Sequence, residues 1–223
     1  MKFSAILVLL LINVTNTFSQ GNADAEREAY VKAITERSNK IVAALKIDNA
    51  NKAAKVSAIV RDQYSDLNDV YATRDVNIKA IKEKYSDKTE RDAALAKENA
   101  DVEEKTGKLH VAYLKKLGKE LSAQQVEAIK DGMTYGVLPL TYKAYQEQIL
   151  TLTAEQKKQI LVWLTEAREK AMDAESSDKK HAMFGKYKGK INNYLSAAGY
   201  DLKKEGIEWQ KRIDAAKANQ PKN

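Results

Sequence analysis

Apolar residues recur at spacings of three and four along every long segment of the chain, the spacing that places them on one face of an α-helix. Only two prolines and nine glycines interrupt this pattern. The segments lack the strict alternation of apolar and polar residues that is typical of a half-buried strand. The pattern therefore predicts an all-α fold.

The longest helical segment predicts a hairpin. Its apolar, aromatic and arginine positions alternate steps of four and three, as in a coiled-coil seam: Val60, Tyr64, Leu67, Tyr71, Arg74, Ile78, Ile81 and Tyr85. A turn at residues 86–88 then lets a third helix run back to about residue 117. We expect a long antiparallel two-helix hairpin over about residues 49–117, attached to a compact helical body over about residues 121–217 that carries the functional surface.

Two details of these segments leave alternatives open. Arg74 is expected to lie near Glu98 and Asp101, either as a buried ion pair that sets the register or as a side chain that reaches water. The spacing of Ser122 to Gln125 and of Thr153 to Gln156 resembles the LTxxQ motif of periplasmic stress chaperones, but it is also the spacing of a helix capping box.

Two further segments shape the body. Between residues 131 and 142 the helix must break, with Gly136 as a left-handed cap and Pro139 leading into the next helix, which leaves Tyr135 and Tyr142 near irregular backbone. The last helix is expected to bury five positions spaced by four and three: Leu202, Gly206, Trp209, Ile213 and Ala216.

The N-terminus has the layout of a secretory signal peptide. Lys2 precedes an apolar run at residues 5–11, and polar and small residues follow up to Ser19. We expect cleavage before Gln20, which leaves residues 20–223 as one helical domain; a buried N-terminal helix is the alternative. The chain has no cysteine, so neither a lipid anchor on cysteine nor a disulfide is expected. A periplasmic or secreted location follows.

Charge and candidate chemistry narrow the function further. The formal charge of +7 falls to +6 without Lys2, an excess that suits acidic oligosaccharides or polysaccharides as well as simple solubility. Export argues against nucleic acid as a partner. His110 and His181 stand apart from any metal-ligand or nucleophile motif, so we expect no metal, no cofactor and no catalytic residues. An enzyme that uses Glu166 or Asp173 on acidic glycans remains an alternative.

Residues 181–200 combine lysine, glycine, asparagine and aromatic residues in one helix. Gly185 and Gly189 each cost a helix interior roughly 1 kcal/mol relative to alanine, so we expect a neighbouring helix or a ligand to approach the backbone there. The apolar stripe of this helix is assigned to the core, and the polar strips are assigned to a ligand. The candidate carbohydrate-binding residues are Tyr135, Tyr142, His181, Gly185, Lys186, Lys188, Lys190, Asn192, Asn193 and Tyr194.

The segments TYGVLPLTYKAY (residues 134–145) and FGKYKGKINNYLS (residues 184–196) make the chain resemble the secreted bacterial family called domain of unknown function 3826. The resemblance spans about residues 25–215. It implies a sugar-binding role beside the polysaccharide-degradation systems of Gram-negative bacteria, and it supplies no catalytic residues. A non-catalytic carbohydrate-binding protein is the leading hypothesis. A periplasmic holdase chaperone or scaffold, which meets protein partners through the hairpin, is the alternative.

Overall fold

The computed structural model describes the backbone of residues 14–218 and the side chains from residue 25 onward. This part of the chain forms eight α-helices and no strand, so the all-α prediction is confirmed. The helices are α1 (Val14–Ala43), α2 (Ala50–Lys84), α3 (Lys88–Glu120), α4 (Ala123–Met133), α5 (Val137–Gln148), α6 (Ala154–Met172), α7 (Ser177–Ala197) and α8 (Leu202–Ala218).

The signal peptide predicted at residues 1–19 falls largely on residues 1–13, which lie outside the described residues. The signal peptide and the export that depends on it therefore stay predictions. Within the described range, none of the helices combines the length and the apolar character needed to cross a bilayer.

Side-chain caps define where several helices begin. Asn49, Asp87 and Ser176 each accept a hydrogen bond from the backbone N–H three residues further along. Ser122 with Gln125 and Thr153 with Gln156 form complete capping boxes, in which each side chain bonds the backbone of the other residue. Capping therefore accounts for the spacing that resembles a chaperone motif.

The helix break between α4 and α5 is confirmed. Gly136 has a φ of 66° and is the residue directly before α5. Pro139 lies in the first turn of α5. Tyr135 also has a positive φ, of 60°, a conformation that is uncommon for a residue with a Cβ. The two residues together turn the chain sharply, so that α5 leaves α4 in a new direction.

A first apolar cluster joins α1, α2, α3 and α4. Its fully buried members include Val56 and Val60 of α2, Leu117 of α3 and Ile129 of α4. The α2 and α3 helices run antiparallel, because Lys55 pairs with Glu120 at one end of the hairpin (2.6 Å) and Asn77 donates to Glu98 nearer the other (3.0 Å). Helix α4 contacts α1 and α3 on one side and the later helices α5 and α6 on the other.

A second apolar cluster joins α5, α6 and α7. The apolar stripe predicted for α7 faces it, with Phe184, Tyr187, Ile191 and Leu195 buried against Ile160 and Leu164 of α6 and other residues. These side chains leave the opposite face of α7 exposed. Burial of one face therefore fixes which residues of α7 can meet a ligand.

The last helix differs from the prediction. No side chain of α8 is fully buried; Trp209 and Ile213 are half-buried, and Ala216 is exposed. Polar contacts hold α8 instead: the Arg212 guanidinium donates to the backbone oxygens of Glu147 (2.8 Å) and Gln148 (3.0 Å) at the end of α5. A cation beside the terminal carbonyls of a helix also interacts favourably with the helix dipole.

Charged side chains of α4 and α6 connect the two clusters, together with Met172 of α6, which is buried in the first cluster. Arg168 of α6 is 3% exposed and donates to Asp131 of α4 (2.8 Å), to Glu127 and to its neighbour Glu169 (3.2 Å). Lys130 of α4 is 9% exposed and pairs with Glu127 (2.9 Å) and Glu169 (3.2 Å). We call these five charged residues the α4–α6 charge cluster. Each buried cation in it is matched by at least two carboxylates.

A third buried cation joins α7 to the end of α6. Lys180 is 4% exposed, and its ammonium donates to the backbone oxygens of Ala171 (2.9 Å) and Met172 (2.7 Å). These carbonyls belong to the last turn of α6 and have no partner within the helix. Lys180 therefore caps α6 while it positions the first turns of α7.

Arg74 does not pair with Glu98 or Asp101, so that expectation was wrong. Its guanidinium bonds to Asp75 (2.6 Å) and to Glu175, and it lies over the ring of Tyr71 (4.8 Å). Glu175 stands in the connection between α6 and α7, about one hundred positions further along the chain. Arg74 thus ties the hairpin to the later helices rather than setting the register within the hairpin.

Replacing Arg168 with methionine should lower the free energy of unfolding by about 2 kcal/mol, because the partly exposed carboxylates of Glu127, Asp131 and Glu169 would lose their main cation. Urea unfolding followed by circular dichroism measures this change. Arg61→Met is the control: Arg61 pairs only with its neighbour Asp62 (2.6 Å) near the surface, so its loss should cost under about 0.5 kcal/mol. Equal losses in the two variants would contradict a special role for the α4–α6 charge cluster.

Candidate functional site

An open pocket lies where α5, α7 and α8 meet. Its volume is about 560 Å³, within the range of small-molecule sites. Helix α5 supplies one wall, and two residues each from α7 and α8 complete it. The lining residues are Leu140, Thr141, Ala144, Tyr145, Gln148, Lys188, Asn192, Leu202 and Lys203. We refer to it as the α5–α7–α8 pocket.

A buried tyrosine orients the asparagine of this pocket. The Tyr145 hydroxyl donates to Asn192 Oδ1 (2.7 Å) and also lies 3.4 Å from the backbone oxygen of Lys188. Burial raises the pKa of Tyr145 to about 12, so the hydroxyl keeps its proton and acts as the donor. Because Oδ1 accepts this bond, the Asn192 Nδ2 hydrogens are left for a ligand.

The pocket is positively charged. Lys188 of α7 and Lys203 of α8 line it, and its lining includes no carboxylate. Neither ammonium takes part in an ion pair with a described residue of the chain. Two cations without a carboxylate partner favour an anionic ligand, or an anionic group on a larger ligand.

The structure brings only two of the predicted binding residues, Lys188 and Asn192, into this pocket. Tyr135 stacks on His181, with the ring centroids 5.2 Å apart. Tyr142 packs against the second apolar cluster. The others lie elsewhere on α7.

Those other residues fall on the far side of α7 from the pocket. The Lys190 ammonium lies over the ring of Trp163 (4.5 Å), and Tyr194 meets the edge of the same ring, with centroids 5.2 Å apart. Lys186 and Asn193 are exposed. Lys190 and Tyr194 thus form, with Trp163, a separate aromatic surface of α6 and α7.

Tyr145, Thr141, Gln148 and Lys203 were missed from the sequence. Tyr145 lies in the segment TYGVLPLTYKAY, but its spacing to Leu138 and Ile149 assigns it to the apolar stripe of α5. The ring does pack in the core, while the hydroxyl reaches the pocket. Periodicity alone therefore detects the buried part of such a side chain and overlooks its polar end.

No neighbouring helix approaches Gly185 or Gly189, so that part of the prediction was wrong. A Cβ added at either position would meet no atom within 4 Å. At about 3.6 residues per turn, both glycines lie between Lys188 on one side of α7 and Lys186 on the other. Both glycines are exposed and lie next to the pocket residue Lys188 on the surface of α7.

A second cleft, of about 620 Å³, lies between α3 and α6 and contains a histidine. His110 bonds to Asp173 through Nδ1 (2.8 Å) and lies 3.4 Å from Glu169 through Nε2. The hydrogen bonds to Asp173 and Glu169 raise the pKa of His110 to about 9, against the opposing effect of burial. The imidazole is therefore a cation at neutral pH.

This second cleft is less suited to acid–base catalysis than its histidine and carboxylates suggest. Both ring nitrogens of His110 already face carboxylates, so neither is free to take a proton from a substrate. Burial raises the pKa of Glu169, but His110, Lys130 and Arg168 outweigh burial and bring it to about 2. Among the described residues, no group of three or more His, Cys, Asp or Glu side chains is arranged to hold a metal ion. The arrangement is typical of a structural ion network.

A comparison with protein families supports the earlier resemblance. The model of a family described as "Protein of unknown function (DUF3826)" matches residues 31–215. The matched range runs from α1 into α8 and includes both clefts. No curated protein matches the chain.

The protonated His110 should make stability depend on pH. Its pKa is about 9 in the folded protein and about 6.5 in an unfolded chain. Stability from this histidine is therefore complete below about pH 6.5 and is lost as the pH rises through about 9. We expect the difference in unfolding free energy between the natural protein and His110→Gln to shrink by on the order of 2 kcal/mol between about pH 6 and about pH 9.

Urea unfolding of both proteins across this range measures that difference. The comparison with the variant is needed because burial lowers the pKa of Lys180 to about 8, which makes stability rise with pH above that value. Lys180 is present in both proteins, so its contribution cancels. A difference that stays constant with pH would show that His110 is not held as a cation.

The exposed glycines of α7 should be replaceable with a gain in stability. Gly185→Ala and Gly189→Ala should each raise the free energy of unfolding by about 0.5–1 kcal/mol, because alanine favours the helix and meets no neighbour. Gly132→Ala is the contrasting variant: its Cβ would lie 2.8 Å from the buried Ile41, so it should destabilise by about 1 kcal/mol or more. Thermal unfolding of the three variants tests both directions. A loss at Gly185 would show a packing role for that glycine.

Proposed function

The chain belongs to the DUF3826 family, and on this premise we propose that it is an exported, non-catalytic carbohydrate-binding protein of a polysaccharide-utilisation system. The proposed ligand site is the α5–α7–α8 pocket. The observation that carries the proposal is the Tyr145–Asn192 hydrogen bond, which orients an amide in an open pocket between three helices.

The chemistry of the pocket suits a sugar. Each sugar hydroxyl can donate one hydrogen bond and accept others, and the Asn192 amide, the Thr141 hydroxyl and the two ammonium groups offer partners for both roles. Leu140, which is 66% exposed, stands at the rim and offers an apolar surface to the C–H face of a sugar ring. A few oriented polar groups beside apolar ones are typical of ligand sites.

The lining also supports binding rather than catalysis. None of its side chains is a histidine, aspartate, glutamate or cysteine, the residues that most often act as general acids, bases or nucleophiles. The glycan enzyme considered from the sequence would use Glu166 or Asp173. Glu166 is exposed on α6, and Asp173 is held by His110 in the other cleft.

The hairpin supports the holdase hypothesis less well than the pocket supports carbohydrate binding. Val76 of α2 and Val111 of α3 are 69% and 67% exposed. They are single apolar residues among charged neighbours, which is common on protein surfaces and does not indicate a client-binding face. The pocket therefore offers the more concentrated binding chemistry.

Isothermal titration calorimetry against a panel of neutral and acidic oligosaccharides tests the proposal. We expect at least one glycan to bind, and Asn192→Ala and Tyr145→Phe each to weaken it about tenfold, as for a lost hydrogen bond. Tyr145→Phe keeps the buried ring and removes only the hydroxyl. Asn193→Ala is the matched control, because Asn193 is exposed on the same helix and does not line the pocket.

Circular dichroism and thermal unfolding should show that these variants remain folded. The proposal is refuted if no glycan of the panel gives heat. It is also refuted if Asn193→Ala weakens binding as much as Asn192→Ala, because the ligand would then lie elsewhere on α7.

A further inference from the structure

We infer that the α5–α7–α8 pocket selects a sugar residue that carries a negative charge, a carboxylate or a sulfate, and holds it between Lys188 of α7 and Lys203 of α8. This inference rests on the proposed function of the same pocket and adds the class of ligand. It also assigns a role to Lys203, which the sequence pattern did not single out.

The first argument is the charge of the lining. Two ammonium groups face one cavity whose lining contains no carboxylate. In the second cleft, by contrast, the cation His110 is matched by Asp173 (2.8 Å) and Glu169 (3.4 Å). The lysines of the α5–α7–α8 pocket lack such partners among the described residues. An anionic ligand would supply the missing charge.

The second argument concerns the acids close to the pocket lining in the chain. Asp201 accepts hydrogen bonds from the backbone N–H groups of Lys203 (3.1 Å) and Lys204 (3.0 Å), so it caps α8. Glu147 pairs with Lys143 (3.6 Å) on α5. The segment from Lys179 to Ala197 contains five lysines and no acidic residue. Asp201, Glu147 and Glu205 of α8 do not line the pocket, so its lining carries only positive charge.

The third argument compares the hydrogen bonds that a neutral sugar and an acidic sugar would make with the two lysines. A neutral hydroxyl can accept a hydrogen bond from either ammonium, as water does, but it brings no opposite charge. A carboxylate or sulfate makes charge-assisted hydrogen bonds, which are shorter and stronger. The same pocket should therefore bind an acidic sugar more tightly than a neutral sugar of the same shape.

Binding of this kind should also hold α8 in place. Lys203 lies in the first turn of α8, a helix without a fully buried side chain that is attached by Arg212 and by the bond from Gln148 Nε2 to the Leu202 oxygen (3.2 Å). A ligand that bridges Lys188 and Lys203 adds a link between α7 and α8. Amide hydrogen exchange in α8 should slow on binding, as expected for an element of low local stability.

The experiment compares two forms of one ligand. Calorimetry would use a tetramer of α-1,4-linked galacturonic acid and its fully methyl-esterified form, which has the same sugar rings and no charge. A sulfated oligosaccharide of similar length forms a third arm. We expect the acid to bind at least about tenfold more tightly than the ester, and Lys188→Ala and Lys203→Ala each to remove most of that preference.

Lys186→Ala is the charge-matched control. It removes one positive charge from α7, and Lys186 does not line the pocket. We expect its affinity for the acid to change less than about twofold, since the surface charge as a whole is screened by salt. Tight binding of either the uronate or the sulfated ligand with this pattern supports the inference, and the stronger ligand identifies the preferred acid group.

Three results would overturn the inference in different ways. Equal affinity for the acid and the ester would remove the charge preference and leave the proposed carbohydrate binding intact. An equal loss in Lys186→Ala and Lys188→Ala would show that the anion is attracted to the basic surface in general. If no sugar binds at all, the proposed function fails, and this inference fails with it.

Discussion

The structure depends on the buried charge that α6 carries beside an apolar face that continues to Ala171 and Met172 at its end. Its first half buries Ile160 and Leu164 in the second apolar cluster, while Arg168 near its end lies among the carboxylates of α4. Isolated burial of this guanidinium would be very costly, so the position of α4 relative to α6 is tightly constrained. The α4–α6 charge cluster thereby sets how the two apolar clusters meet. Such a junction is specific in geometry because each charge needs its own partner.

The candidate site follows from that junction. Helix α7 is placed by Lys180, whose ammonium caps the last carbonyls of α6, and by the apolar stripe that packs on α6. Because the apolar face of α7 packs on α6, Lys188 and Asn192 point away from α6. There α5 and α8 complete a pocket around them. The backbone positions of these two candidate binding residues are thus fixed by the packing of α7 on α6.

The features predicted correctly from the sequence are those set by residues close together in the chain. Capping at Ser122 and Thr153, the break at Gly136 and the buried stripe of α7 all follow from local spacing. The features that the sequence did not reveal depend on distant partners. Arg74 meets Glu175 across the fold, and the Tyr145 hydroxyl finds Asn192 on another helix. No local pattern encodes which charged group or which hydroxyl a side chain will reach.

The exposed face of α7 combines two features that do not favour a stable helix. Gly185 and Gly189 lower helix propensity where nothing in the fold requires their small size. The five lysines between Lys179 and Ala197 repel one another, and only Lys180 among them is buried. Natural proteins tolerate individual unfavourable residues, so either feature alone would carry little weight. Their coincidence beside a pocket that lacks carboxylates is better explained by a partner outside the chain than by the requirements of folding.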